Sequence, residues 1–357
     1  MAQRDILVKI LDLARWAPSG DNTQPWRFEI LADDRIAIHG HDTREWCVYD
    51  FRGHASHMAH GALLETLRIA ASGFGLRADW VIRPGCPDGA PIYDVGLLAD
   101  PALPADPLLP FIEKRVVQRR PMKTTPLTVG QKEGLQAAVG PGYRLQFFED
   151  FSQRWAVARL LWRNAHIRLT CPEAYRVHRD VIEWGARFST DRIPEQALGS
   201  DPLTGKLMRW VMQSWDRVEF FNRYLMGTVA PRVQLDLLPA LGCGAHVLIC
   251  PQSPLSGLEA HVRLGVAMQR MWLTATAQGL CLQPEMTPVI FRWYARSGQS
   301  ISAQGGIDPA AATLADAFQS LAGAGASDPF GFFCRVGISP EPRARSVRKS
   351  LQDLLGG

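Results

Sequence analysis

The sequence predicts an α+β fold in which amphipathic helices alternate with short strands and the pattern is laid down twice in one chain. Three observations predict it. Ile6, Ile10, Leu13 and Ala17 recur every three to four residues, as one buried helix face does, and Trp26, Phe28 and Ile30 then alternate as a strand does. Arg35 to His39 can return as the second arm of a hairpin across Asp33-Asp34. Gly61–Leu76 matches Gly265–Leu280 without a gap, 204 residues later: Gly61 meets Gly265, Ala71 meets Ala275, and Gly75-Leu76 meets Gly279-Leu280. Such a repeat predicts duplication and pseudo-symmetric packing, as in a fused dimer.

The elements follow in order. The first helix ends near Ala17, because Pro18 lacks an N–H and restricts the residue before it. Ser19, Asp21 and Asn22 then form a polar loop in which Ser19 could act as an N-cap. His54, His57 and His60 enter the next helix. A metal could bridge two of them, but no cysteine or carboxylate stands at matching spacing, so surface or helix-entry positions and no metal are expected. That helix stops at Gly73-Phe74-Gly75. Strands are expected over 78–82 and 93–98, and the four prolines of 100–110 mark a linker. This divides the chain into a first half, 1–107, and a second, 108–357.

In the second half a helix over 131–139 runs through Gly140-Pro141-Gly142 into a strand over 144–148. Residues 151–238 read as a helical insertion. Its third stripe joins Leu207, Val211, Trp215, Val218 and Phe221. An insertion of this length suits a lid. The apolar run Leu235–Cys250, broken by Pro239, Gly242 and Gly244, is too short to span a bilayer and is expected to be a buried strand. A helix over 258–278 and a last strand over 332–338 close the pattern.

Composition limits the function classes. Hydrophobic residues make up 46% and charged residues 21%, ordinary for a globular protein, and a net charge of +4 is no argument for nucleic acid. Seven cysteines without a CxxC pair suggest reduced thiols rather than a disulfide or zinc framework. With no signal-peptide core, a cytoplasmic protein without a membrane span is expected.

The words of the loop are more specific than its pattern. Ala17-Pro18-Ser19-Gly20-Asp21-Asn22-Thr23-Gln24-Pro25-Trp26 closely resembles a segment of the flavin-dependent nitroreductase family, Ala-Pro-Ser followed by Asn and Gln-Pro-Trp. The resemblance implies mixed, mainly antiparallel sheets flanked by helices, an FMN pocket at a subunit interface, and flavin contacts at Pro18, Ser19, Asn22 and Gln24. The segment Phe111–Leu127 is similar, more loosely, to the family's Arg-rich opening, which implies cofactor contacts at Arg115, Arg119 and Arg120. After the second repeat helix, Pro284, Glu285 and Met286 take the place where the family's flavin ring passes a strand and a backbone amide meets its N5. Arg348 and Lys349 resemble the late basic position that holds the FMN phosphate.

The first half carries the amide loop without an Arg cluster, and the second carries the cluster without the loop. One FMN per chain, between the halves, is therefore expected. The longer members of the family, with two fused halves, are the nearest in pattern. Some are linked to molybdopterin biosynthesis and others hold FMN beneath a lid. The resemblance implies an FMN oxidoreductase using NAD(P)H as transient reductant and a small nitro, quinone or enone substrate, with no catalytic side-chain nucleophile. The alternatives are an FMN store with little turnover and an accessory protein with a vestigial site. A monomeric pseudo-dimer or a homodimer would each suit. No Gly-x-Gly-x-x-Gly fingerprint is present, against a Rossmann dehydrogenase.

Overall fold

The structure is a computed structural model and describes residues 3–355. Helix α1 (Gln3–Ala14) leads through a polar loop to strands β1 (Trp26–Ala32) and β2 (Arg35–Gly40), which pair antiparallel across Asp33-Asp34. Helix α2 (His54–Ser72) precedes β3 (Leu76–Ile82) and β4 (Ile92–Ala99). The four strands form an antiparallel sheet in the order β1-β2-β4-β3. Trp26, Phe28, Ile36, Ile38 and Tyr93 are fully buried between this sheet and the helices. Each contributes roughly 1.5–3 kcal/mol by leaving water.

The second sheet repeats this plan. Helix α3 (Val129–Val139), capped by Thr128, is followed by β5 (Tyr143–Phe148), β6 (Ala245–Pro251), β7 (Cys281–Pro284) and β8 (Phe332–Gly337). All pairs are antiparallel and the order is β5-β6-β8-β7, the order of the first sheet. Two places differ. Where the first sheet has its two-residue hairpin, the second has the chain from 149 to 244. This contains α4 (Phe151–Thr170), α5 (Pro172–Val181), α6 (Pro202–Val211) and α7 (Trp215–Tyr224). Helix α8 (Gly257–Ala277) precedes β7, and α9 (Thr287–Ser297) and α10 (Ile307–Ala322) lie between β7 and β8.

The repeat helices α2 and α8 cross at their glycines. A Cβ on Gly61 would collide with the carbonyl oxygen of Val262, and one on Gly265 with that of Met58. Val262 and Met58 are themselves 204 positions apart, so the crossing has local two-fold character. Each helix also fills the other sheet's core. Met58 and Ala62 pack under the second sheet, and Leu258, Val262 and Leu273 under the first.

Several expectations change. Residues 238–241 are helical, and the strand begins only at Ala245. The stripe through Leu207 and Phe221 is two helices, because the Ser214 hydroxyl caps α7 by accepting from Arg217 N at 3.3 Å. Ser19 stands at the N-cap position of a 3-10 turn over Gly20–Asn22, but its Oγ caps nothing there and instead accepts from Gln24 N across the loop. His54 opens α2, but His57 and His60 are buried rather than at the surface. His60 bridges the Pro25 carbonyl at 2.8 Å and the Tyr93 hydroxyl at 3.0 Å. Among the described residues, no helix is long and apolar enough to cross a membrane.

Candidate functional site

A cavity of about 430 Å³ lies beside the crossing of α2 and α8, against β7 and β8 at one edge of the second sheet. That is ample for a small organic ligand. Its walls come from distant parts of the sequence: the 18–23 loop, α2, the segment around Arg115, α4 and α5 of the insertion, the start of α9, and the C-terminal arm.

The loop is a clip built from strained backbone. Asp21, Asn22 and Gln24 all have positive φ, at 49°, 64° and 51°. Each such L-residue costs roughly 1–2 kcal/mol, so the conformation needs support. The amides supply it. Asn22 Oδ1 accepts from Arg348 at 2.9 Å while its Nδ2 donates to the Val347 carbonyl at 3.2 Å. Gln24 Nε2 donates to the Thr190 carbonyl at 2.8 Å, and its Oε1 accepts from Lys349 N at 3.0 Å. The loop thus fastens both the C-terminal arm and the insertion. Pro18, Ser19 and Asn22 line the cavity; Gln24 is fully buried behind them.

Two extended arms bring the arginines. Val117 bridges to Leu282 beside β7, and Leu355 bridges to Phe28 beside β1. Arg115, Arg345 and Arg348 meet around Trp16. Arg115 donates to the Trp16 carbonyl at 2.9 Å and its guanidinium lies 4.5 Å from the Trp272 ring centre. Arg348 donates to the Ala17 carbonyl at 3.0 Å, and Arg345 lies 5.2 Å from the Trp16 ring centre. None of the three, nor Arg119, has a carboxylate within ion-pair distance among the described residues. Burial and mutual repulsion push Arg115 well below its ordinary value, and bring Arg348 down to about 9. Burial also lowers Arg119 to about 10, with Asp21 opposing. Such a cluster is relieved by a bound anion.

Arg115, Arg119, Arg348, Pro284, Glu285 and Met286 all line the cavity. Arg120 and Lys349 do not. Arg120 is exposed and donates to the Gly199 carbonyl, and Lys349 meets the loop through its backbone. Glu285 is not a loose loop carboxylate. It accepts from Arg335 at 2.9 Å and pairs with His246 at 2.7 Å, all three buried. Its backbone N–H donates to the Phe333 carbonyl at 2.8 Å, so that amide is already engaged.

Burial opposes the His246 charge, yet Glu285 outweighs it and raises His246 to about 10; Glu285 is held below its ordinary range in turn. The His246 contribution is complete below its unfolded value near 6.5 and is lost as pH rises toward 10. The Glu285 contribution is lost on the acid side. Urea unfolding at pH 6 and pH 9.5 checks this: the wild type loses more stability over that interval than His246→Gln does. Equal losses would contradict the pairing.

Several wall residues escape sequence reasoning. Arg345 had a visible signal, since it shares a basic run with Arg343 and Arg348. Trp272 was visible only as a repeat-helix residue. Asn164, Arg168, His178 and Asp236 reach the cavity only through the folded insertion, and Tyr49 comes from the loop between β2 and α2. Tyr49 and His178 join at 2.9 Å, and Arg168 and Asp236 pair at 2.8 Å. Burial keeps Tyr49 protonated, well above its ordinary value, and lowers His178 to about 3. Cys47 also lines the wall, but burial raises its thiol far above neutrality, so it is a poor nucleophile.

The site therefore offers a buried cationic end, an indole face and polar atoms without partners. Unmatched atoms on wall residues include Arg115 Nε, Arg168 Nε, Arg335 Nε, Arg345 Nε, Trp272 Nε1, Gln283 Oε1 and Asn164 Oδ1. A phosphate monoester carrying a flat heterocycle fits the Arg115, Arg345 and Arg348 cluster, the Trp272 face and Gln283 Oε1.

No family model and no curated protein matches the chain. Among solved structures, the chain is similar to a nitroreductase with bound FMN from Bacteroides fragilis, at 10% identity and a TM-score of 0.38, covering 66% of this chain and 89% of that one. It is also similar to a nitroreductase with bound FMN from Desulfitobacterium hafniense, at 14% identity and a TM-score of 0.38, covering 71% and 98%. A third similar structure is the FMN-dependent nitroreductase NfnB from Mycobacterium smegmatis in complex with NADPH, at 13% identity and a TM-score of 0.35, covering 69% and 96%.

Proposed function

We propose that this chain is an FMN-binding oxidoreductase that takes electrons from NAD(P)H and gives them to a small nitro, quinone or enone acceptor. The observation that carries this reading is the set of arginines without carboxylate partners on a cavity closed by the nitroreductase-like loop. Arg115, Arg345 and Arg348 would hold the phosphate, as paired guanidinium groups do. Trp272 supplies a flat apolar wall, and Gln283 an acceptor for a ring N–H. Bound FMN would supply the two-electron chemistry, while the protein binds it, orients it and tunes it. The clip formed by Asn22 and Gln24 acts as a positioning device for the phosphate arm.

One site per chain follows from the same residues. The position 204 residues before Trp272 is Arg68, which is tied to Glu65 at 2.6 Å. Glu65 and Asp106 in turn hold Arg270. This ion-pair network then stands, on this reading, where the repeat would place a second site's counterpart of Trp272. On this reading the two sheets are duplicated halves, divided near residue 107, and the chain is an internal pseudo-dimer in the cytoplasm.

A second reading, a flavin store with little turnover, is supported by the share of the wall that the 151–238 insertion supplies. One experiment separates the two. The chain is purified without added flavin, its visible spectrum is recorded, and NADH or NADPH is added anaerobically. Flavin bands that bleach within seconds are expected. Persistent bands would support storage, and no bands after soaking in FMN would contradict both.

A further inference from the structure

Helix α4 brings Leu161, Asn164 and Arg168 to the cavity, each about one turn from the next. Asn164 is only 1% exposed. Its Nδ2 donates to Thr287 Oγ1 at 2.6 Å, which leaves Oδ1 as an acceptor without a partner. Arg168 donates from Nη2 to Asp236 at 2.8 Å, and its Nε–H is a donor without a partner. One turn of helix thus carries one unmatched acceptor and one unmatched donor on the same cavity wall. Around them lie the apolar side chains of Val181, Ile182, Ile193 and Leu198, and the stacked rings of Tyr49 and His178.

The complementary ligand group must accept one hydrogen bond and donate another. A carboxylate does not suit, because Asn164 Oδ1 repels it and Asp236 already balances Arg168. A ketone or nitro oxygen satisfies Arg168 and leaves Asn164 unmatched. A primary carboxamide satisfies both, its oxygen toward Arg168 and its N–H toward Asn164. We propose that Asn164 and Arg168 form a subsite for a planar ring bearing a primary carboxamide. This deepens the oxidoreductase reading and rests on it for the source of the ligand. Either the nicotinamide of NAD(P)H or an amide-bearing acceptor carries this chemistry.

The test uses nicotinamide, nicotinate and 3-acetylpyridine, three rings of nearly equal size, titrated calorimetrically against the flavin-loaded chain and against the chain alone. Nicotinamide is expected to bind about tenfold more tightly than either other ring. Asn164→Leu is expected to abolish that preference, and Asn164→Asp, which keeps an acceptor oxygen, to restore part of it. FMN affinity in Asn164→Leu is expected to stay within about threefold of wild type.

Equal binding of nicotinamide and 3-acetylpyridine by the wild type would overturn the proposal. So would a preference retained in Asn164→Leu, or a large loss of FMN affinity, which would place Asn164 against the flavin instead. If the wild type binds no FMN, the oxidoreductase reading fails, while the ring titration on the chain alone still judges the subsite. Stopped-flow separates the sources. Slower reduction by NADH with unchanged reoxidation by benzoquinone in Asn164→Leu assigns the subsite to the nicotinamide. The same defect confined to an amide-bearing acceptor assigns it to the second substrate. No defect with either would count against a subsite used in turnover and overturn the assignment.

Discussion

Gly61→Ala and Gly265→Ala each cost about 4 kcal/mol or more of stability in urea unfolding, at the severe end of single substitutions. The reason is the close approach of α2 and α8. At each glycine a Cβ would overlap a backbone carbonyl of the other helix, Val262 for Gly61 and Met58 for Gly265. A side chain could rotate away, but a carbonyl inside a helix cannot move without moving the helix. The axes must therefore separate, and Met58, Ala62, Leu258 and Val262 then withdraw from the cores they fill. The double variant is expected to lose much less than the sum, because the first methyl opens the gap that the second would need. The cavity wall includes Met58 and Ala59 from α2, and Met268 and Trp272 from α8, so both variants are also expected to weaken binding of the proposed flavin. Losses below about 1 kcal/mol for each would contradict the described crossing.

Arg115→Met is expected to weaken FMN binding by about 10- to 150-fold while leaving riboflavin binding within about threefold. Methionine keeps an apolar stem near Trp272 and removes only the charge and its donors. A hydrogen bond to a charged partner contributes about 1.5–3 kcal/mol, and riboflavin has no phosphate to lose it from. The flavin-free variant loses little stability, because Arg115 is buried without a carboxylate and is repelled by Arg345 and Arg348. Calorimetric titration with the two flavins reads all of this. An equal loss for both would make Arg115 a support for the ring or for the fold, not a phosphate ligand.

What was legible in the sequence followed local rules. The hairpin across Asp33-Asp34, the helix–glycine–strand repeat and the Pro18–Gln24 loop are short-range patterns, and each appears where its residues place it. The repeat also marked Gly61 and Gly265, though not that they touch. Chain-distant geometry was harder to read. Residues 238–241 looked strand-like because a continuous apolar run does not distinguish a buried helix from a strand. The stripe through Leu207 and Phe221 held its period across a real break, which only the Ser214 cap marked. At the site, the loop wording identified cavity residues at Pro18, Ser19 and Asn22, but not that Asn22 and Gln24 spend their amides on backbone. The insertion's contribution at Asn164 and Arg168 had no sequence signal, because it depends on how α4 is laid against the two sheets.

The central claim is that the arginines lining the cavity hold the phosphate of one FMN. It is tested most directly by titrating the flavin-free chain with FMN and with riboflavin in a calorimeter. The account predicts one FMN per chain, bound at least about 30-fold more tightly than riboflavin. Two FMN per chain, equal affinity for the two flavins, or no heat from either would contradict it.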